Sequence, residues 1–247
     1  MTATQPPVMF GLIALVKCLI ADIYLKVFGL KGTLADVYET TAKKIPDDIS
    51  IEQARNIRLA LDGILNADCH PRRWVDKRGA DHRVLAFEKD MPELVDYLRI
   101  EERIEEIEAY LGSAIKSWFL MANRIDSVPG NLGSGGGVHR DSPYAHQIKM
   151  IWYLSDVDEE NGPFQYVAES HRSVIKTRHL YPLGVTRFDR FHESSITLTG
   201  KAGTLLICDT KCLHRGAPIK KGSRYALTLY TSTNIKSREG RVVNLDD

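Results

Sequence analysis

His139-Arg140-Asp141-Ser142-Pro143 is followed by the strand-like run Lys149-Met150-Ile151-Trp152-Tyr153-Leu154, and the architecture of the chain follows from these two segments. Residues two apart on an extended segment point to the same side. His139 and Asp141 therefore present an imidazole and a carboxylate to one point from a single strand. From Val138 on, short strand-like runs are separated by turn clusters, the pattern of a barrel or jelly roll. A second imidazole from another strand would complete a face of three ligands and leave the opposite face open. His214 is the favoured third ligand, since it follows the apolar run Gly203–Cys208 and a turn-like Asp209-Thr210-Lys211.

Two histidines and one carboxylate held this way form the pattern of non-haem Fe(II) oxygenases. Ten residues beyond His214 comes Arg224, inside a segment (Ser223–Tyr230) that alternates polar and apolar groups as a half-buried strand does. An arginine pointing into such a core needs an anionic partner, because an unpaired buried charge is costly. The distal carboxylate of a small diacid, held bidentately, would serve.

The order of motifs around these residues resembles the phytanoyl-CoA dioxygenase family. The match runs through His139–Pro143, Lys149–Asp156, Glu160-Asn161-Gly162-Pro163-Phe164, Glu169-Ser170-His171-Arg172, Gly203-Thr204, His214 and Arg224. It covers about residues 80 to 235. A lone H-x-D occurs by chance; these motifs in this order are specific. The resemblance implies an α+β chain with a double-stranded β-helix (jelly roll) core and N-terminal helices packed around it. It implies Fe(II) held by His139, Asp141 and His214, with 2-oxoglutarate as co-substrate and O2 as oxidant. Arg224 would anchor the 2-oxoglutarate, with Trp152 lining its pocket and Asn123 meeting its other carboxylate. Family members often carry Ser or Thr two residues after the distal histidine; here that position is Gly216. Related halogenases replace the metal carboxylate with a small residue. Asp141 is intact, so the resemblance favours hydroxylation of an unactivated C–H bond, or another C–H oxidation such as desaturation, over halogenation, with release of succinate and carbon dioxide.

The chain has 247 residues with 43% hydrophobic content, which suits one domain with an ample core. A formal net charge of +1 gives no reason to expect nucleic-acid binding. Cys18, Cys69, Cys208 and Cys212 form no C-x-x-C pair, so we expect reduced thiols in a cytoplasmic protein. Residues 8–30 are mostly apolar yet interrupted by Lys17, Asp22 and Lys26. Their charge-free part falls short of the roughly 20 residues a bilayer span needs. Two readings stand for the expected helix over 1–32: packing on the domain or in a homodimer contact, or lying in a membrane surface beside a lipid-linked substrate.

Thr33–Lys44 reads as a helix ending before Pro46, and Ser50-Ile51-Glu52-Gln53 as a capping box. The box opens a helix to about Asn66 with an inner stripe of Ile51, Ala54, Ile57, Leu61 and Ile64. Cys69–Gly79 reads as a loop, His82–Phe87 as a first strand, Pro92–Gly112 as a helix with a solvated charge run, and Ser117–Ile125 as a strand. Pro129–Gly137 lacks the lysine and helix of a phosphate loop and suits a flexible loop at the mouth of the site. The segment Ser173–Ser195 is a long loop able to cover substrate. Arg140, Lys149, Arg172 and Arg215 would suit an anionic substrate, and Tyr144, His146 and His171 are expected near the mouth. Two other readings are an inactive jelly-roll binding protein and a cupin-like metalloenzyme of another reaction type. Cupins gather more histidines and lack the arginine after the distal ligand, so Arg224 argues against the latter.

Overall fold

Ten strands form two antiparallel sheets among the described residues, 8–233 of a computed structural model. Residues 1–7 and 234–247 of the expected 1–247 domain lie outside them. The strands are β1 (Ala42–Ile45), β2 (Arg73–Val75), β3 (Asp81–Leu85), β4 (Ser117–Asp126), β5 (Ile148–Tyr153), β6 (Phe164–Tyr166), β7 (Ile196–Leu198), β8 (Leu205–Asp209), β9 (His214–Gly216) and β10 (Ser223–Ser232). The larger sheet runs β1-β8-β5-β10-β4-β3-β2 and the smaller β7-β6-β9. Two isolated bridges, Val138 to Phe188 and His139 to His214, tie the connecting segments together. The helices are α1 (Val8–Phe28), α2 (Val37–Thr40), α3 (Ile51–Asn66), α4 (Leu94–Tyr97) and α5 (Ile100–Leu111). This is the jelly roll with N-terminal helices that the motifs imply.

The period of two in each long strand sorts its side chains between two environments. Ile148, Met150 and Trp152 of β5, Leu120 and Ala122 of β4, and Leu227 and Leu229 of β10 pack with the helices in the main core. The alternate residues Lys149, Ile151 and Tyr153, Met121 and Asn123, and Arg224 and Ala226 line a cavity on the other face. The helices therefore give the large sheet its dry side and leave the other side for chemistry. On α3 the capping box forms as expected, with Gln53 N donating to Ser50 Oγ at 3.1 Å and Ser50 N to Gln53 Oε1 at 2.8 Å. Its buried stripe is Ala54, Ile57, Leu61 and Leu65; Ile51, in the first turn, is 66% exposed.

Three local expectations are corrected. Thr33–Lys44 is not one helix: α2 stops at Thr41, which adopts φ +70°, and residues 42–45 become β1 on the edge of β8. The open edge of β8 offers backbone partners that outweigh local propensity. Residues 73–75, within the expected loop, extend the other edge of the sheet as β2. The helix expected over Pro92–Gly112 breaks at Arg99 (φ +52°), and α5 then ends on the left-handed Gly112.

The charge run on α5 is only partly a solvated face. Arg103 is buried, and its Nη2 donates to Asp48 Oδ1 at 2.5 Å. The other oxygen of Asp48 accepts from Trp152 Nε1 at 2.8 Å, so one carboxylate joins α5 to β5. Removing one member of a buried ion pair costs about 3–5 kcal/mol. Asp48→Ala should thus lower the thermal midpoint by roughly 6–20 °C, at about 2–4 °C per kcal/mol for a chain of this size. Differential scanning calorimetry checks this, and an unchanged midpoint would mean the pair contributes nothing.

Candidate metal centre and adjoining cavity

The two histidines face each other across a hydrogen-bonded bridge. His139 N donates to His214 O and His214 N to His139 O, each at 2.9 Å, which sets the ring centroids 4.3 Å apart. Each Nδ1 points at a backbone carbonyl: His139 to Gly137 O at 2.9 Å, His214 to Cys212 O at 3.0 Å. A proton on Nδ1 satisfies those contacts and leaves both Nε2 lone pairs aimed at the third group. Asp141 supplies that group. Its Oδ1 lies 3.8 Å from His139 Nε2 and its Oδ2 3.8 Å from His214 Nε2. These gaps are too wide for hydrogen bonds and narrower than twice a metal–ligand bond of about 2.1 Å, so one ion can bridge all three groups. The three ligand atoms lie within 4.8 Å of one another.

The electrostatics suit a cation. Burial, then the neighbouring His214, pushes His139 well below the usual histidine range, keeping it neutral. Burial alone would raise the Asp141 carboxyl, but Lys149 and the two imidazoles outweigh it and hold it below the usual carboxylate range. Lys149 is a site residue that the sequence reading placed only loosely. Its Nζ stands 2.7 Å from Asp141 Oδ2, an ion pair that holds the carboxylate charged. A carboxylate facing two imidazoles across gaps too wide for hydrogen bonds is the feature that a bound metal would complete. The signal for Lys149 was its parity on β5, which it shares with the cavity-facing Ile151 and Tyr153.

The cavity beside the centre has a volume of about 590 Å³. At one end is Arg224, buried, donating to Gly162 O and leaving its Nε without a partner. Burial lowers its pKa from the usual arginine value. Asn123 lines the same cavity, and its buried Nδ2 also lacks a partner. Gly216 has a structural reason. A Cβ there would lie 2.9 Å from Arg224 Nη1 and 2.9 Å from Ser134 Cβ, so glycine lets the guanidinium lie against the strand. Gly216→Ser should weaken binding of a dicarboxylate by about tenfold or more, given the sensitivity of such sites to small displacements. Isothermal titration with 2-oxoglutarate measures it.

Several expected positions are corrected. Trp152 does not line the cavity: it has the parity of Met150, is fully buried on the helix side and donates to Asp48. Ile151 and Tyr153 occupy the wall instead. Arg140 is spent on Ser170 O (2.7 Å) and Lys211 O (2.6 Å), Arg172 on Glu39 and Glu169, and Arg215 on Gln165. With Lys149 paired to Asp141, these four are structural ties rather than a receptor for an anion. Arg83, which the sequence reading passed over, does line the cavity beside Asn123, its Nε 3.0 Å from Asp81 Oδ2. Tyr144 lies on the cavity wall as expected, but His146 and His171 turn away, to Asp209 and to Tyr38 O.

The glycine-rich segment lines the cavity, yet it is pinned. Asn131 Nδ2 donates to Val128 O and to Ile219 O, each at 2.9 Å, and Gly216 N donates to Ser134 O at 3.1 Å. Gly135 (φ +86°) packs on His139, whose ring any Cβ would overlap. Residues 181–188 of the long loop form the opposite wall. The four cysteines are free, with Cys18, Cys208 and Cys212 buried and Cys69 exposed.

A jelly roll with two imidazoles and one carboxylate on its concave side, beside a buried arginine, has the architecture of a small-molecule metalloenzyme. Its sequence is matched by the family model described as phytanoyl-CoA dioxygenase (PhyH) over residues 50–224. The chain belongs to that family, and the match begins at α3, ahead of the expected 80–235. Solved structures share the fold. EvdO2 from Micromonospora carbonacea var. aurantiaca is 16% identical with a TM-score of 0.59, over 83% of this chain and 93% of that one. The epimerase SnoN from nogalamycin biosynthesis is 19% identical with a TM-score of 0.57, over 87% and 88%. HygX from Streptomyces hygroscopicus, solved with nickel, 2-oxoglutarate and hygromycin B, is 15% identical with a TM-score of 0.55, over 79% and 84%. Comparison with curated proteins gives no match.

Proposed function

We propose that this chain is an Fe(II)- and 2-oxoglutarate-dependent dioxygenase that hydroxylates an unactivated C–H bond of a small or lipid-linked substrate, releasing succinate and carbon dioxide. The observation that carries the reading is the placement of three metal-competent ligand atoms and an under-partnered buried arginine in one cavity. Family membership supports it, as do the printed ligands of HygX.

His139, Asp141 and His214 would hold the ferrous ion at the wall of the cavity. When bound, the ion supplies oxidative chemistry at neutral pH, with 2-oxoglutarate as the electron source. Arg224 pairs with the distal carboxylate of that diacid, and Asn123 offers its unpaired amide to the other end. Lys149 holds Asp141 as an anion and restricts its rotation. The loop walls at 131–136 and 181–188 keep bulk water from the reacting face.

Incubation of the purified protein with Fe(II), 2-oxoglutarate, O2 and a metabolite mixture tests the reading through succinate release. Labelled dioxygen then assigns the reaction: one labelled oxygen in the product marks hydroxylation. The printed names of SnoN and its neighbour SnoK are an epimerase and a carbocyclase, and either chemistry would leave the product unlabelled. An inactive binding module would release no succinate under any condition.

A further inference from the structure

The outer surface of α1 is the least explained feature of the molecule. Fifteen large apolar side chains are more than a third exposed among the described residues, and nine of them lie on this one helix. No helix there is long and apolar enough to cross a membrane. The inner side of α1 is firmly seated. Ala14, Cys18 and Leu25 are buried, Cys18 Sγ donates to Pro143 O at 3.2 Å, and Asp22 pairs with Lys211 and with His146 Nε2, the latter at 3.0 Å. Those ties fix the roll of the helix, so the same face always points outward.

At 100° per residue that face is about half the helix circumference wide. Leu12, Val16, Leu19 and Ile23 form one flank, Ile13, Ile20 and Val27 its centre, and Tyr24 and Phe28 the other flank. A two-stranded seam would cover part of this arc and leave the rest wet, because paired helices bury a narrow a/d stripe. A flat hydrocarbon boundary covers all of it. The charges agree. Lys26 borders one edge of the apolar arc and Lys17 the other, and both lean back toward the body of the protein, 6.0 Å from the Tyr38 ring and 5.9 Å from the Tyr144 ring. Both stand beside the apolar arc, where lipid phosphates would meet them.

We infer that α1 is an interfacial helix that lays the protein flat on an anionic bilayer. Pro143 and Tyr144, which α1 touches through Cys18 and Lys17, also line the cavity. Docking thus brings that rim to the headgroup layer, where a lipid-anchored molecule reaches the metal centre without leaving the membrane. What happens to that molecule rests on the oxygenase reading above; the docking does not.

Co-sedimentation of the full chain with vesicles of phosphatidylcholine, alone or mixed with phosphatidylglycerol, separates the two. The protein should bind the anionic vesicles more tightly than the neutral ones, whether or not it turns over any substrate. Ile20→Glu/Val27→Glu should weaken binding by about 100-fold or more, and Lys17→Gln/Lys26→Gln by about 30-fold on anionic vesicles only. Thermal unfolding of each variant shows that the fold is intact. Binding to neither vesicle overturns the inference, as does binding that survives Ile20→Glu/Val27→Glu. A lipid-free dimer that this same variant splits into monomers would also overturn it, assigning the face to a second copy of the chain.

Discussion

Asp141→Ala should weaken ferrous-ion binding by well over about 100-fold, since loss of a hydrogen-bond partner behind a ligand already costs 10- to 100-fold. Asp141 is the only anion of the three ligands. Without it a dication would face two neutral imidazoles and the Lys149 ammonium, which stands 2.7 Å from the present carboxylate. The same change strands Lys149 as a buried charge, a loss of about 3–5 kcal/mol in stability. Two readouts then separate the roles. Anaerobic titration with Fe(II) and 2-oxoglutarate should show a weak visible charge-transfer band in the parent protein and none in the variant. Adding Lys149→Met to Asp141→Ala should restore much of the thermal midpoint without restoring the band. A band that persists in Asp141→Ala would remove the metal centre from the account.

Arg224 predicts the opposite pairing of effects. It is a buried cation whose direct hydrogen-bond partner is Gly162 O and whose Nε is unpaired. Replacing a buried charge that lacks an ionic partner with an apolar group of similar length removes its desolvation cost. Arg224→Met should therefore unfold no earlier than the parent. Its affinity for 2-oxoglutarate should nevertheless fall by roughly 30-fold to several thousand-fold, the range for truncating one side of a buried hydrogen-bonded charge pair at about 2–5 kcal/mol. Thermal shift measures both at once. Saturating 2-oxoglutarate should raise the midpoint of the Fe(II)-loaded parent more than that of the variant. Equal ligand-induced shifts would mean that the diacid binds elsewhere.

Much of the site was legible because its signals are local or ordered along the chain. The i,i+2 relation of His139 and Asp141 needs only an extended backbone, and the order of motifs through His214 and Arg224 needs only their succession. The Ser50 capping box and the Gly112 helix end are likewise short-range. Alternation along β5 was visible too, but it states only that Lys149 and Trp152 point to opposite faces. Which face meets the cavity depends on where α3 and α5 pack, and that put Trp152 on Asp48 and Lys149 on Asp141.

Residue order suffices to say which side chains can bind a metal, how strands alternate and where a helix can begin. Which charges are spent and which remain depends on how distant segments pack. Arg140, Arg172 and Arg215 carry the same charge as Arg224 in the sequence, yet each finds acceptors on neighbouring segments, whereas Arg224 is left under-partnered at the end of the cavity. Such packing also turned residues 42–45 from helix to strand, because the free edge of β8 supplied backbone hydrogen bonds that no local propensity can weigh.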